Sequence, residues 1–443
     1  MSRIARFSAA LAALLFSFAA VLPALADPAA PALQDVNQSL RLLTTTYYQP
    51  VPEQVLVDRA RLALTEYARV HGVRIKVAPI QVNDSEAATV ALDDAIQAAA
   101  QTAHGSVTDY AYAAIDGMAD AVKDKYTMFF TPNEYKQFLD ELDPEKISGI
   151  GVLIASDPAS GLIDISYVVP GTPADKAGVQ PGDVISTVDG TSTKGMSTDD
   201  ASKLLRGKAG TVVHLGLLRD GTALADTPIT RSELTPPTVV SKMLPGDIGY
   251  VYVLAFGLQT PQEFDLALER LKNAGAKGIV LDLRNDGGGY VESALQMIQR
   301  FVASKPLLTV EERGEPATTV TADSDDVWVN VPVSVLVNGY TASASEITAG
   351  ALQDDGIASL IGTRTFGKGV MQTLTPLADG AAIKITTAHY LTPDHHDINL
   401  KGIEPDVVVK EPQKSIFGDV SKDPQLRAAL DFLQKKIAQV KTP

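Results

Sequence analysis

Asn338-Gly339-Tyr340-Thr341-Ala342-Ser343-Ala344-Ser345-Glu346, then Gly367-Lys368-Gly369-Val370-Met371-Gln372, is the stretch on which the reading of this chain turns. The apolar run Val333–Val337 predicts a buried strand that enters a Gly turn. A small-residue segment with two serines follows, then a helix over 346–352 that ends near Gly356. A Ser placed where a strand turns into a helix has its hydroxyl lifted off the sheet, beside the next backbone N–H. Such a hydroxyl can attack a carbonyl while the helix N-terminus stabilises the oxyanion.

The attack needs a base, and Lys368 is the candidate. Glycines at 367 and 369 let the backbone there approach another segment closely. A free Lys, with a pKa of about 10.4, is no base at neutral pH, but desolvation lowers it. Ser–Lys pairs are a known variant of triad chemistry.

Two other readings compete. Ser343-Ala344-Ser345-Glu346 is also a Ser-x-x-Glu capping box, and helix caps far outnumber nucleophiles. Gly362-Thr363-Arg364-Thr365-Phe366-Gly367-Lys368-Gly369 follows the phosphate-loop spacing until its last position. Gly369 stands there in place of the Ser or Thr that would hold Mg²⁺, which rejects a nucleotide site.

Taken jointly, Thr341-Ala342-Ser343-Ala344-Ser345-Glu346 and Thr365-Phe366-Gly367-Lys368-Gly369, with Gln372 four residues after the Lys, resemble the C-terminal processing peptidases (tail-specific proteases). In that family nucleophile and Lys stand 25 residues apart, and the interval from 343 to 368 selects Ser343 over Ser345. The resemblance implies Ser343 as nucleophile, Lys368 as general base and Gln372 as the residue that orients the Lys. It also implies an oxyanion hole from the N–H of Ala344 and that of Gly288 or Gly289, in Asp282-Leu283-Arg284-Asn285-Asp286-Gly287-Gly288-Gly289.

The same resemblance extends from Lys123 to Val409. Gly149-Ile150-Gly151-Val152, Pro170-Gly171-Thr172-Pro173, Pro181-Gly182-Asp183-Val184-Ile185 and Val188-Asp189-Gly190 look like a PDZ domain. Such domains add a peptide as a strand and capture its terminal carboxylate on backbone N–H groups, here those of Gly149, Ile150, Gly151 and Val152. The competing reading is a Gly-Ile-Gly that only turns a strand. Gly402-Ile403-Glu404-Pro405-Asp406-Val407 matches the end of the family's crotonase-like core.

With 443 residues the chain is long enough for several domains. Its 45% hydrophobic and 21% charged content is that of a globular protein. A formal charge of −15 argues against nucleic acid, and against anionic membrane surfaces as more than a neighbour. The absence of Cys excludes disulfides and thiolate zinc sites. Arg3 and Arg6, the apolar run Leu11 to Leu22 and Ala24-Leu25-Ala26 read as a secretory signal cleaved after Ala26, which implies an exported, periplasmic protein.

The expected chain is therefore α/β and multidomain. It has a signal peptide over 1–26, an N-terminal helical region over 27–147, a PDZ domain over 148–232, a crotonase-like α/β protease core over 233–412 and a C-terminal helical extension over 413–443. Within it, 27–40 reads as a loose lead-in, helices are expected near 55–70 and 106–122, and 71–105 is an Ala-rich excursion. Strands at 307–313, 333–337, 370–377 and 382–391 are expected to complete one sheet. His395 and His396 beside Asp394 and Asp397 form the one metal-like cluster, but adjacent histidines of an extended chain point apart, so no metal is assigned. His389 is the alternative triad base to Lys368, but it sits inside a strand pattern with no motif around it and reads as structural.

The expected function is a secreted serine endopeptidase without cofactor, acting on protein or peptide substrates with free C-termini. An activator or adaptor protein and a homo-oligomer are compatible with this reading. The alternatives are a non-catalytic binding protein on the same fold, and a protease latent until a partner activates it.

Overall fold

The computed structural model describes residues 30–142, 146–157, 160–323, 327, 329–411 and 417–440. The signal sequence expected at 1–26 lies outside them. Among the described residues no helix is long and apolar enough to cross a membrane. The chain packs as two compact units, and the division cuts across the linear segments. Val310–Thr318 and Val370–Tyr390 group with everything up to Phe138, and the remainder forms the second unit.

The first unit is built on four helices, Ala30–Thr46, Glu53–Val70, Ser85–Ala103 and Val107–Ala121. The first corrects the loose lead-in expected at 27–40. Ala32, Val36, Leu40 and Leu43 recur at helical spacing and are all buried. The Ala-rich excursion holds the third helix, which opens where Asp84 accepts from Ala87 N–H at 2.9 Å. Its Leu92, Ile96, Ala99 and Ala100 join the same apolar core. The remaining part of the unit is antiparallel: Ala382–Leu391 pairs with Met128–Phe130 and with Val370–Pro376.

The second unit contains a seven-stranded antiparallel sheet in which Val152–Ser156 is an edge strand and Thr198–Leu205 a covering helix. It also contains a six-stranded sheet. Its order is Val239–Leu244, Ile248–Val253, Gly278–Asp282, Val333–Val337, Ala358–Gly362 and Val407–Val408, parallel from the second strand on. Gly278–Asp282 and Val333–Val337 are buried at every residue, as strands covered on both faces must be. One face carries the last helix, Pro424–Val440, whose Leu426, Ala429, Leu430 and Leu433 pack with Tyr250, Val280 and Leu336.

This arrangement corrects the single sheet expected from 307–313, 333–337, 370–377 and 382–391. Only Val333–Val337 belongs to the parallel sheet, while Pro306–Glu312, Val370–Pro376 and Ala382–Leu391 belong to the antiparallel one. The β pattern of each run was legible. Its partner was not, because pairing is set by what the other face of the strand meets.

Candidate active site

Strand Val333–Val337 delivers the chain to a turn that it closes on itself. Asn338 N–H donates to Thr341 Oγ1 at 2.9 Å, and Tyr340 N–H to Asn338 Oδ1 at 3.1 Å. Ser343 comes next, immediately before helix Ala344–Asp354, with φ 58° and ψ −118°. A side chain rarely occupies that backbone region, so the local strain is held by the surroundings. Ser343 is half-buried at this elbow. Ser345 is fully buried and its hydroxyl donates to Asp286 O at 3.1 Å. The two serines of this segment are thus in different environments.

The turn Leu283–Gly289 is laced to this elbow. Thr341 Oγ1 donates to Leu283 O at 2.9 Å and Ala342 N–H to Asp286 O at 3.0 Å. Asn285 N–H donates to Asn338 Oδ1 at 3.0 Å, and Asn338 Nδ2 returns a bond to Asn285 Oδ1 at 2.9 Å. Gly288 adopts φ 97°, and a methyl placed on it would lie 2.8 Å from Ser343 Cβ and 2.9 Å from Ala344 N. Only glycine fits there.

The two glycines named for the oxyanion hole differ in what their N–H groups do. That of Gly288 donates to Asp286 Oδ1 at 2.9 Å. That of Gly289 donates to none of the described residues, and its backbone is fixed instead by Tyr290 N–H on Phe256 O at 2.8 Å. Ala344, at the first helical position, has no intrahelical acceptor for its own N–H. Burial pushes the Asp286 carboxyl up to about 7, against the lowering effect of the Gly288 N–H and the Ser345 hydroxyl.

Glu346 is the residue whose reach the sequence did not disclose. It is fully buried. Its Oε2 accepts from Ser343 N–H at 3.0 Å and from Lys368 N–H at 2.8 Å. Its Oε1 accepts from Gly367 N–H at 2.7 Å and from the Thr365 hydroxyl at 2.5 Å. One carboxylate therefore ties the backbone of the Ser elbow to that of the Lys turn. The Ser343–Glu346 capping box is present, and the same carboxylate does more than cap. The signal was there: a Glu among Ala, Ser and Thr on a buried helix needs donors, and a Gly-Lys-Gly turn can supply them.

Lys368 is half-buried in its turn. Phe366, two residues before it, is 46% exposed. Gln372 lies at a register irregularity of strand Val370–Pro376, in the other compact unit, with its amide 3.4 Å from Val370 O and 3.5 Å from Thr386 Oγ1. His389 is in strand Ala382–Leu391, with Nδ1 3.5 Å from Glu311 Oε2. His396 Nδ1 is 3.6 Å from Asp354 Oδ1. Among the described residues no three His, Asp or Glu side chains are grouped to hold a metal.

A second candidate site lies at the edge of the seven-stranded sheet. A cavity of about 290 Å³ is lined by Gly149, Ile150, Gly151, Val152, Leu205 and Arg206, among others. The carbonyls of Ile150 and Gly151 are taken by Ala174 N–H (2.9 Å) and Val169 N–H (3.0 Å). The N–H groups of Ile150 and Gly151 donate to none of the described residues. Gly151 has φ 86°, and a methyl on it would lie 2.3 Å from Thr172 Cβ. An open edge strand, a facing helix and an N–H loop at the end of the groove are what peptide addition by β-augmentation requires.

Comparison with known proteins agrees with this architecture. The model of peptidase family S41 matches residues 247–409, and a PDZ-domain model matches residues 165–219. The chain is 36% identical over 334 residues to the carboxyl-terminal-processing protease of Synechocystis sp., covering 74% of this chain and 78% of that one. To the carboxy-terminal processing protease CtpA of Bacillus subtilis it is 36% identical over 327 residues, covering 74% and 69%. Among solved structures it is similar to the photosystem II D1 C-terminal processing protease, with a TM-score of 0.50, 27% identity and coverage of 90% and 97%. A PDZ-bearing serine peptidase is the class that fold and comparisons define. The chain belongs to peptidase family S41, among the carboxyl-terminal-processing proteases.

Proposed function

We propose that this chain is an exported serine endopeptidase that cuts protein substrates at or near their C-termini, with Ser343 as nucleophile and Lys368 as general base. Ser343 Oγ attacks the scissile carbonyl carbon and its proton passes to the neutral Lys368 amine. The Lys then returns that proton to the leaving amine as the peptide bond breaks, which leaves an acyl ester on Ser343. Lys368 next takes a proton from water, the hydroxide attacks the ester, and Ser343 regains its proton. The N–H groups of Ala344 and Gly289 are the donors assigned to the oxyanion, since that of Gly288 is already engaged by Asp286. The orienting role of Gln372 rests on the family pattern alone.

The observation that carries the reading is the Glu346 carboxylate, which holds a strained Ser343 and the Lys368 backbone on one oxygen. Positioning of this kind is what nucleophile and base require before reaction. The groove at Gly149, Ile150, Gly151 and Val152 is assigned to a substrate's terminal carboxylate, and export to the periplasm is assigned from the sequence pattern over 1–26, which reads as a secretory signal.

The test is incubation of the protein with a loosely folded substrate and mass determination of the products. Wild type is expected to release C-terminal fragments, and Ser343→Ala none. Lys368→Arg should be as inactive as Lys368→Ala, because Arg keeps its proton under any burial. An active Lys368→Arg enzyme would reject the base assignment. N-terminal sequencing of the protein recovered from cells tests cleavage after Ala26.

A further inference from the structure

The oxyanion turn is anchored from a distant part of the chain. Arg284 stands between strand Gly278–Asp282 and the Asn285–Gly289 turn, and is 5% exposed. Its Nε and Nη2 donate to the two oxygens of Asp282, at 2.9 and 2.6 Å. That pair is local and leaves the other side of the guanidinium plane unspecified. The first residues of the last helix fill it: Asp423 Oδ2 lies 2.8 Å from Nη2, and Gln425 Oε1 accepts from Nη1 at 2.9 Å.

We propose that Asp423 and Gln425 are positioning residues for catalysis, which hold the oxyanion turn in register with Ser343 by fixing Arg284 from the C-terminal helix. The proposal rests on the catalytic reading of Ser343 given above.

Four observations support it. A buried guanidinium has five N–H groups in a rigid fork, so partners on both sides fix its plane as well as its position. Asn285, the next residue, turns to φ 61° and exchanges two bonds with Asn338, so a displacement of Arg284 is passed directly to the turn and to the Ser343 elbow. Both clamp residues are themselves held. Asp423 Oδ1 caps the helix by accepting from Leu426 N–H at 2.9 Å, and Gln425 Nε2 donates to Val409 O at 2.9 Å. Finally, the helix is docked by Leu426, Ala429, Leu430 and Leu433, so it does not depend on Arg284 to stay in place.

The experiment uses the full chain and compares Asp423→Asn, Gln425→Leu and the double variant with wild type in steady-state peptide cleavage. Asn keeps the helix cap and turns an amide toward Arg284. Misplacement on the ångström scale costs about 10²-fold in rate, so kcat is expected to fall about 10- to 100-fold in each single variant. KM and the affinity for a PDZ-directed peptide should be unchanged. The double variant should lose less than the product of the single losses, because both act through Arg284. Labelling of Ser343 by a fluorophosphonate should slow in parallel.

Leu430→Ala is the structural control: it destabilises the same helix without touching Arg284 and should keep kcat at temperatures where it is folded. The inference is overturned if both single variants keep kcat within twofold of wild type. It is also overturned if their loss merely follows the folded fraction, as in Leu430→Ala. Ser343→Ala, assayed beside them, separates the two levels. If it still cleaves, the catalytic reading fails. If it is inactive while Asp423→Asn and Gln425→Leu match wild type, only the positioning role fails.

Discussion

Glu346 Oε2 accepts from the backbone N–H of both Ser343, at 3.0 Å, and Lys368, at 2.8 Å, across 22 residues of sequence. A carboxylate is the one side chain that can serve these two donors and two more at Oε1. Glu346→Gln keeps shape and volume but puts an amide NH₂ where two donors converge. Each buried donor left unmade costs about 1–3 kcal/mol. The variant is expected to unfold at a clearly lower temperature and to lose at least about 10²-fold in kcat. Near-wild-type turnover of a folded Glu346→Gln enzyme would show that the tether is dispensable.

The conformation of Ser343 makes a prediction about stability that is independent of activity. At φ 58° and ψ −118°, glycine is relaxed and alanine strained. Both Ser343→Gly and Ser343→Ala should be inactive, but the glycine variant should be the more stable of the two, by about 1 kcal/mol. Comparison of denaturant midpoints decides it, and equal midpoints would mean that the elbow stores no strain. Ser345→Ala should retain measurable cleavage, because that hydroxyl is buried against Asp286, to whose carbonyl it donates.

At the PDZ groove, Gly151→Ala should be severe for so small a change. The new methyl would collide with Thr172 in a backbone conformation that already disfavours alanine. Titration of a fluorescent peptide with a free C-terminus should show at least about tenfold weaker binding, and amidating the peptide should have a similar effect on wild type. If amidated and free-acid peptides bind wild type alike, the carboxylate is not what the loop recognises.

A pH dependence follows from Asp35, which is fully buried in the first helix. Its carboxyl accepts from Ala378 N–H at 2.6 Å and from Asp379 N–H at 3.3 Å, and faces the Asp379 carboxyl that Tyr112 hydroxyl donates to at 2.5 Å. Burial first, then the Asp379 carboxyl, raises Asp35 to about 7 from an ordinary 3.8. The folded state thus holds a proton that the unfolded chain has lost. The contribution is full below about pH 4 and is lost as pH rises toward 7. Asp35→Asn cannot lose it, so the melting temperature of the variant relative to wild type should climb between pH 4.5 and 7.5. A difference that stays flat with pH would remove Asp35 from the account.

The sequence by itself determined what is local. Glycines and prolines at fixed offsets marked the PDZ turns, and the apolar run Val333–Val337 marked the strand before Ser343. The paired motifs around Ser343 and Lys368 named the two candidate residues whose backbone N–H groups the structure holds on one carboxylate. These features are legible because turn geometry and strand-to-helix elbows depend on residues only a few positions apart.

Tertiary structure alone decided what those elements meet. The lead-in became a helix because Ala32, Val36, Leu40 and Leu43 found a core, which its Pro- and Ala-rich composition does not announce. Strands of similar pattern were sorted into separate sheets by the faces they cover. Glu346 was legible as the Glu of a capping box and not as the tether of Lys368, and Arg284 gave no sign of Asp423 and Gln425 at the far end of the chain. Buried charges choose partners by geometry and desolvation in the folded state, and chain distance carries no trace of that choice.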